Sequence, residues 1–269
     1  MRKWVFIAVA ILALVGAVLF SLLWGSADNN TPEKAFVKMS EVAASIPTYE
    51  QQARQVDMIV QTRIKFSDSY SQLQEAAKSN PYAAFQLYQD TSRCANINVR
   101  REVLENHAAM NGDPATISNI LNQLLEDENL CTSITDAQLA LKNDWVIKAA
   151  RMGHVEAQLI FFGAVTESFD TPEKIVENAE KISEYKAEAL QHLRSAAMTG
   201  NDTALYNLAM AYQEGTLAKH NAVVAYGYML ALGSKGTTQS AAYYLNLWAQ
   251  DMSLEQIRAA ENFSQQFRR

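Results

Sequence analysis

The chain has 269 residues, of which 49% are hydrophobic, and a formal net charge of -6 at pH 7. This apolar content can build a sizeable core and excludes a disordered chain, while the absence of clustered Lys and Arg argues against nucleic acid as the main partner. Glycine and proline are sparse, at 10 and 5 residues, and Val and Ile do not bunch into strand-like runs beyond residue 30, so we predict a mainly helical fold.

The first predicted element is a membrane anchor within residues 1–27. Residues 4–24 form an uncharged apolar run with a Trp at each end, and a helix of about 20 residues spans the hydrocarbon core of a bilayer. A basic pair precedes this run, which favours a cytoplasmic N-terminus and export of the rest of the chain. A cleaved signal peptide is the alternative, because residues 25–27 are small and resemble a cleavage site.

Residues 28–79 are predicted to form N-terminal helices that link the anchor to the rest. One helix begins at Pro32 and ends before Pro47, and the next carries an apolar stripe. That stripe consists of Ala53, Val56, Val60 and Ile64. It packs on the domain or pairs with a second copy of the chain. Small residues at every fourth position of the anchor also allow two anchor helices to approach, so a homodimer stays open.

From residue 80 onward the chain repeats itself. The segment KAARMGHVEAQLIFFGAV has Gly153, Ala157, Phe161 and Val165 at successive four-residue steps. The segment SAAMTGNDTALYNLAMAYQEG has Gly200, Ala204, Leu208 and Tyr212 at the same steps. Weaker copies begin at Asn80, Gly112 and Gly236. We predict helix hairpins in which Gly ends one helix and Ala lets the next helix pack closely.

These copies resemble the Sel-like repeat (SLR) family, a relative of the tetratricopeptide repeat. The residues that carry the resemblance are Trp145, Lys148, Ala149, Ala150, Gly153, Ala157, Ala204, Leu208, Tyr212, Gly215, Ala222, Ala225 and Tyr226. The match is good over residues 145–236 and loose over residues 80–131, and residues 216–219 depart from the family's turn. The resemblance implies a right-handed α-solenoid over residues 80–251, with residues 252–269 as a capping helix.

The two cysteines, Cys94 and Cys131, are expected to form a disulfide, because an even number of cysteines in an exported chain favours pairing. Two buried free thiols are the alternative. A metal role is disfavoured, since neither cysteine has another Cys or His at ligand spacing.

No motif in the sequence indicates catalysis, so we expect no enzyme activity, no catalytic residue, no metal and no cofactor. The four histidines are scattered, and no phosphate-binding loop or nucleophile elbow occurs in a fitting context. His154 follows a repeat glycine, where capping or solvent exposure is expected rather than catalysis.

The remaining candidate site residues are aromatic and amide side chains near the C-terminus. Tyr206, Asn207, Tyr243 and Asn246 lie on the first helices of the last two predicted hairpins, and Tyr with Asn suits a protein-binding surface. Tyr244 is expected to belong to the core instead.

The resemblance to the SLR family implies a role as an adaptor or scaffold, since such proteins are often exported by bacteria and hold partner proteins or peptides. We therefore expect a single-pass inner-membrane protein with a periplasmic repeat domain that binds envelope proteins or peptides. A regulator or chaperone subunit of one envelope enzyme or secretion complex is the main alternative. An envelope hydrolase and a purely structural dimer are further alternatives.

Overall fold

Every regular element that the structure describes is a helix. The computed structural model describes residues 48–61, 65–110, 113–236 and 239–267. The helices are α1 (Tyr49–Gln61), α2 (Phe66–Ala76), α3 (Pro81–Ala95), α4 (Ile97–Ala109), α5 (Pro114–Leu130), α6 (Asp136–Ala140), α7 (Lys142–Arg151), α8 (Val155–Thr166), α9 (Pro172–Glu177), α10 (Ala179–Met198), α11 (Asp202–Glu214), α12 (Ala222–Gly233), α13 (Gln239–Ala249) and α14 (Leu254–Ser264), with a final 3-10 turn at Gln265–Phe267. The predicted all-helical class is confirmed, and the right-handed sense stays a prediction.

The predicted anchor, residues 4–24, lies outside the described residues, as does the helix predicted to begin at Pro32. None of the described helices is both long enough and apolar enough to cross a bilayer. Membrane insertion of residues 4–24 therefore stays a prediction.

Eight of the described helices pack one on the next to form a stack. Helix α2 packs on α3 and α3 on α7, after which the stack continues through α8, α10, α11, α12 and α13. Two clusters of buried side chains fill the stack, one extending from α1 to Ala189 on α10 and the other from Leu193 on α10 to the C-terminal helices. The Leu217 side chain packs against both clusters. Each hairpin therefore covers the apolar side of the one before it.

Glycine ends α7 and α10 in the same way. Gly153 and Gly200 have φ angles of +92° and +83°, a backbone conformation that would be strained in a residue with a side chain. The next residue then caps the following helix, with Asn201 Oδ1 accepting from the Ala204 amide at 2.9 Å. The alanine four residues after each glycine, Ala157 or Ala204, is completely buried. The predicted spacing thus serves a turn and a close helix contact.

The copy that begins at Asn80 uses the same cap without a glycine. Asn80 Oδ1 accepts from the Tyr82 amide at 2.9 Å and starts α3. Its Nδ2 donates to the Gln52 carbonyl at 3.0 Å and holds α1 against this turn. The cap therefore also joins two helices.

The two helices on either side of residue 112, α4 and α5, do not take a place in the stack, which corrects the repeat predicted to begin there. Helix α3 packs directly on α7, and α4 with α5 forms a separate pair, called here the arm, that has few contacts with α3. The position four residues after Gly112 is Thr116, whose hydroxyl bonds to Asp113 at 2.8 Å. A small apolar residue for close packing is therefore missing, and α5 buries only Leu124 and Asp127.

A disulfide holds the base of the arm to α3, as predicted. Cys94 and Cys131 are bonded, with their Cα atoms 5.5 Å apart. Asp127, 8% exposed, pairs with Arg100 and lies 3.5 Å from the Arg93 guanidinium. The arm is thus attached to the stack by one covalent bond and a charge cluster at one end.

The C-terminal end of the stack is closed by α14, which packs on α12. The contact is close at Gly227, where a Cβ atom would lie 2.6 Å from Phe263 Cδ1. The Phe263 and Phe267 rings each lie 5.0 Å from the Tyr228 ring. On the adjacent α13, which packs on α12, Tyr243 and Leu247 are exposed by 65% and 44%.

Candidate protein-binding surface

The predicted aromatic residues meet between α11 and α13. Tyr206 and Tyr244 have ring centroids 6.2 Å apart, and Tyr244 contacts both Tyr243 and Trp248 at 5.4 Å. Trp248 is 9% exposed and Tyr243 is 65% exposed. These four side chains, called here the tyrosine surface, therefore run from the core to solvent.

Two members of the tyrosine surface, Tyr206 and Tyr244, also interact through their hydroxyl groups. A hydrogen bond with Tyr244 raises the pKa of Tyr206, and burial and the Glu214 charge act in the same direction. Tyr206 therefore stays protonated at neutral pH and keeps a hydrogen-bonding hydroxyl beside its ring. A row of aromatic rings with polar tips can contact apolar and polar groups of a partner together.

Asn207 lies in a different place from Tyr206, because successive residues of a helix point in different directions. It lines a cleft of about 190 Å³ between α8, α10 and α11. The cleft is lined by Gln158, Leu159, Phe162, Ala189, Leu193, Asn207, Met210, Ala211, Glu214, Thr216 and Leu217. Asn246 is exposed on α13. The structure thus brings Tyr206 and Tyr243 together through Tyr244 and places Asn207 in this cleft.

Sequence reasoning missed Phe162, Met210 and Glu214, which line the same cleft as Asn207. Asn207, Met210 and Glu214 are spaced at three and four residues, so helical periodicity could have grouped them on one face of α11. Phe162 belongs to another hairpin, and no pattern within α11 indicates it. Only the packing of α8 near α11 forms the opposite wall of the cleft.

His154 caps α8 as predicted but is buried rather than exposed. Its Nδ1 accepts from the Ala157 amide at 3.3 Å, and its ring stacks on Phe85 at 4.2 Å. Burial lowers the pKa of His154, although the nearby Glu156 carboxylate acts in the opposite direction. The imidazole therefore stays neutral and joins α3 to α8.

His192 is a second buried imidazole, 9% exposed, on α10. Its ring lies 4.8 Å from the Phe161 ring, and its Nε2 lies 3.4 Å from Glu188 Oε1. Burial lowers the pKa of His192 against the opposing effect of Glu188. Glu188 in turn is held by two contacts from Arg151, at 2.7 and 3.0 Å. Both imidazoles thus serve helix packing.

Replacing His154 with Asn should remove part of the acid sensitivity of folding. Its pKa is lowered from 6.5 in the folded chain, so below that pH the unfolded chain binds more protons. Wild-type stability is therefore complete above this value and falls as the pH drops below it. Asn keeps the cap, as Asn201 does for α11, without titrating. Urea unfolding should show that the free energy of unfolding differs less between about pH 5 and about pH 7.5 in the variant than in the wild type. The acid sensitivity that remains comes from His192. An unchanged difference would contradict the assignment.

Within the described residues, no group of three or more His, Cys, Asp or Glu side chains is arranged to hold a metal ion.

Comparison with protein-family models finds no match, and comparison with curated proteins finds none either. Among solved structures, the chain is similar to c5321, a protective antigen present in uropathogenic Escherichia coli strains that displays an SLR fold. The two are 16% identical with a TM-score of 0.29, and the similarity covers 81% of this chain and 52% of that one. The chain therefore spans about half the length of the SLR-fold protein that it is similar to.

Proposed function

We propose that this protein is a helical-repeat scaffold that binds other proteins of the bacterial cell envelope through its tyrosine surface. The observation that carries the proposal is the row of rings from buried Trp248 to Tyr243, which is 65% exposed. Tyr and Trp are enriched at interface positions that contribute most to binding, because they bury much area at a low entropic cost. A row of rings that starts in the core and reaches solvent at Tyr243 suits partner binding.

Two features support a location in the envelope. Residues 4–24 have the length and composition of a single membrane anchor, with the basic pair on the cytoplasmic side. The Cys94–Cys131 disulfide suits an oxidising compartment such as the periplasm. We therefore propose an inner-membrane protein whose repeat domain lies in the periplasm.

Photo-crosslinking in living cells tests the binding role. A benzophenone amino acid at position 243 should give discrete adducts of fixed mass, because this side chain lies on the proposed interface. The matched control is position 176, where Val176 is 76% exposed on the short helix α9. Equal adduct patterns at both positions, or none at 243, would count against the tyrosine surface. One adduct alone would favour the alternative of a regulator or chaperone subunit for a single partner.

Topology is tested separately by adding protease to spheroplasts that carry the protein with a tag at either end. The proposal expects loss of the C-terminal tag and protection of the N-terminal one. A protected C-terminal tag would contradict export of the repeat domain.

A further inference from the structure

The cleft beside the tyrosine surface has the size of a site for one side chain. Its volume is about 190 Å³, whereas pockets for small-molecule ligands measure roughly 300 to 1,000 Å³. Its walls are mostly apolar, and Phe162 and Met210 are half-buried at its sides. Phe162 packs on the first hydrophobic cluster and Met210 on the second, so two well-packed parts of the stack hold the walls. A bulky apolar side chain fits such a space.

Two polar side chains at the cleft are available to a ligand. Neither Asn207 nor Glu214 forms a hydrogen bond or ion pair with another part of the chain that the structure describes. The Asn207 amide can donate to and accept from the backbone of an extended peptide. Glu214 is exposed and is the one charged residue among the described lining residues. A cation beside the apolar side chain would complement it.

We infer that this cleft holds one bulky apolar side chain of an extended segment in a partner protein, and that Glu214 pairs with a Lys or Arg next to it. The inference rests on the proposed function, because it gives the chemistry of the segment that the scaffold binds. The charge of Glu214 decides in favour of a basic segment, and the net charge of -6 on the whole chain acts in the same direction.

Selection from a phage-displayed library of random peptides tests this on the full-length protein in detergent. Enriched peptides should share a large apolar residue next to Lys or Arg. For one such peptide, fluorescence anisotropy should show binding weakened roughly 2- to 5-fold by Glu214→Gln, since exposed ion pairs contribute little. Phe162→Ala should weaken it at least about 5-fold, because it removes a wall of the cleft.

Charge reversal at Glu214 gives the most discriminating test. With Glu214→Lys, the same peptide bearing Glu in place of its basic residue should bind more tightly than the original, reversing the wild-type order. Because Glu214 is exposed, this variant leaves the core intact. Glu184→Gln and Met198→Ala are matched controls, since both side chains are exposed and neither lines the cleft. Both should bind as the wild type does.

The outcomes separate this inference from the proposed function. Peptides that bind wild type and every cleft variant equally would overturn the cleft assignment and leave the scaffold intact. If no peptide is enriched but adducts form at position 243, the cleft assignment is likewise overturned and the scaffold role stands. If neither enriched peptides nor adducts are found, the two proposals are overturned together. Reversal of the peptide order by Glu214→Lys would establish the pairing.

Discussion

Removing the disulfide should lower the free energy of unfolding by about 3 to 4 kcal/mol, the largest effect that we expect from any change in the stack. Cys94 and Cys131 are 37 residues apart, and opening a loop of this length restores conformational freedom to the unfolded chain. Both side chains are buried, so Ala is the appropriate replacement, since Ser would bury hydroxyl groups. Urea unfolding of the double variant Cys94→Ala with Cys131→Ala measures the loss.

Hydrogen exchange should show where the stability is lost. The disulfide and the Asp127 charge cluster attach the arm to α3 at one end, so the arm's amides should exchange faster in the double variant while those of α11 and α12 stay protected. Dithiothreitol should destabilise the wild type by a similar amount and leave the variant unchanged. An unaltered unfolding midpoint together with an equally protected arm would contradict a structural role for the bond.

Replacing Gly227 with Ala should lower the free energy of unfolding by about 1 to 2 kcal/mol, despite the higher helix propensity of Ala. The added Cβ atom would lie 2.6 Å from Phe263 Cδ1 and 3.0 Å from the Ala260 carbonyl oxygen. The Phe263 ring has little room to move, because it packs against Tyr228 at 5.0 Å and Phe267 at 5.5 Å. The clash therefore has to separate α12 from α14.

Gly163→Ala is the matched control for this substitution. Gly163 also lies within a helix, α8, but a Cβ atom there would meet nothing within 4 Å. It should therefore stabilise the protein by up to about 1 kcal/mol through helix propensity alone. Opposite shifts in the unfolding midpoint of the two variants would show that contact decides the result. A stabilised Gly227→Ala variant would contradict the close packing of α12 on α14.

The local elements could be predicted from sequence because their signals are short in range. Asn201 and Ser253 each cap the helix that follows, and Ser253 forms a capping box with Gln256. Gly153 and Gly200 adopt positive φ angles that glycine tolerates best. A cap or a turn depends on four or five neighbouring residues, so the sequence contains all of its determinants.

The place of a hairpin in the stack is less visible, because it depends on a partner distant in the chain. The copy at Gly112 has a capping residue, Asp113, but lacks an alanine at its fourth position, and the helices on either side of it form the arm instead. His154 likewise reads as a polar cap from sequence alone. Its burial follows from Phe85, about seventy residues earlier in the printed sequence, which stacks on its ring at 4.2 Å.

The sequence by itself determined that this chain is mainly helical and that Gly153 and Gly200 begin repeated hairpins, and it favoured a disulfide between the only two cysteines. These expectations follow from composition, from helical spacing and from the even number of cysteines in a chain expected to be exported. The tertiary structure alone decided that α3 joins α7 across the arm, that the tyrosine row is continuous, and that Phe162 and Met210 enclose a cleft beside Glu214. Side chains from separate hairpins form these features, and their approach depends on how the helices pack, which no local pattern encodes.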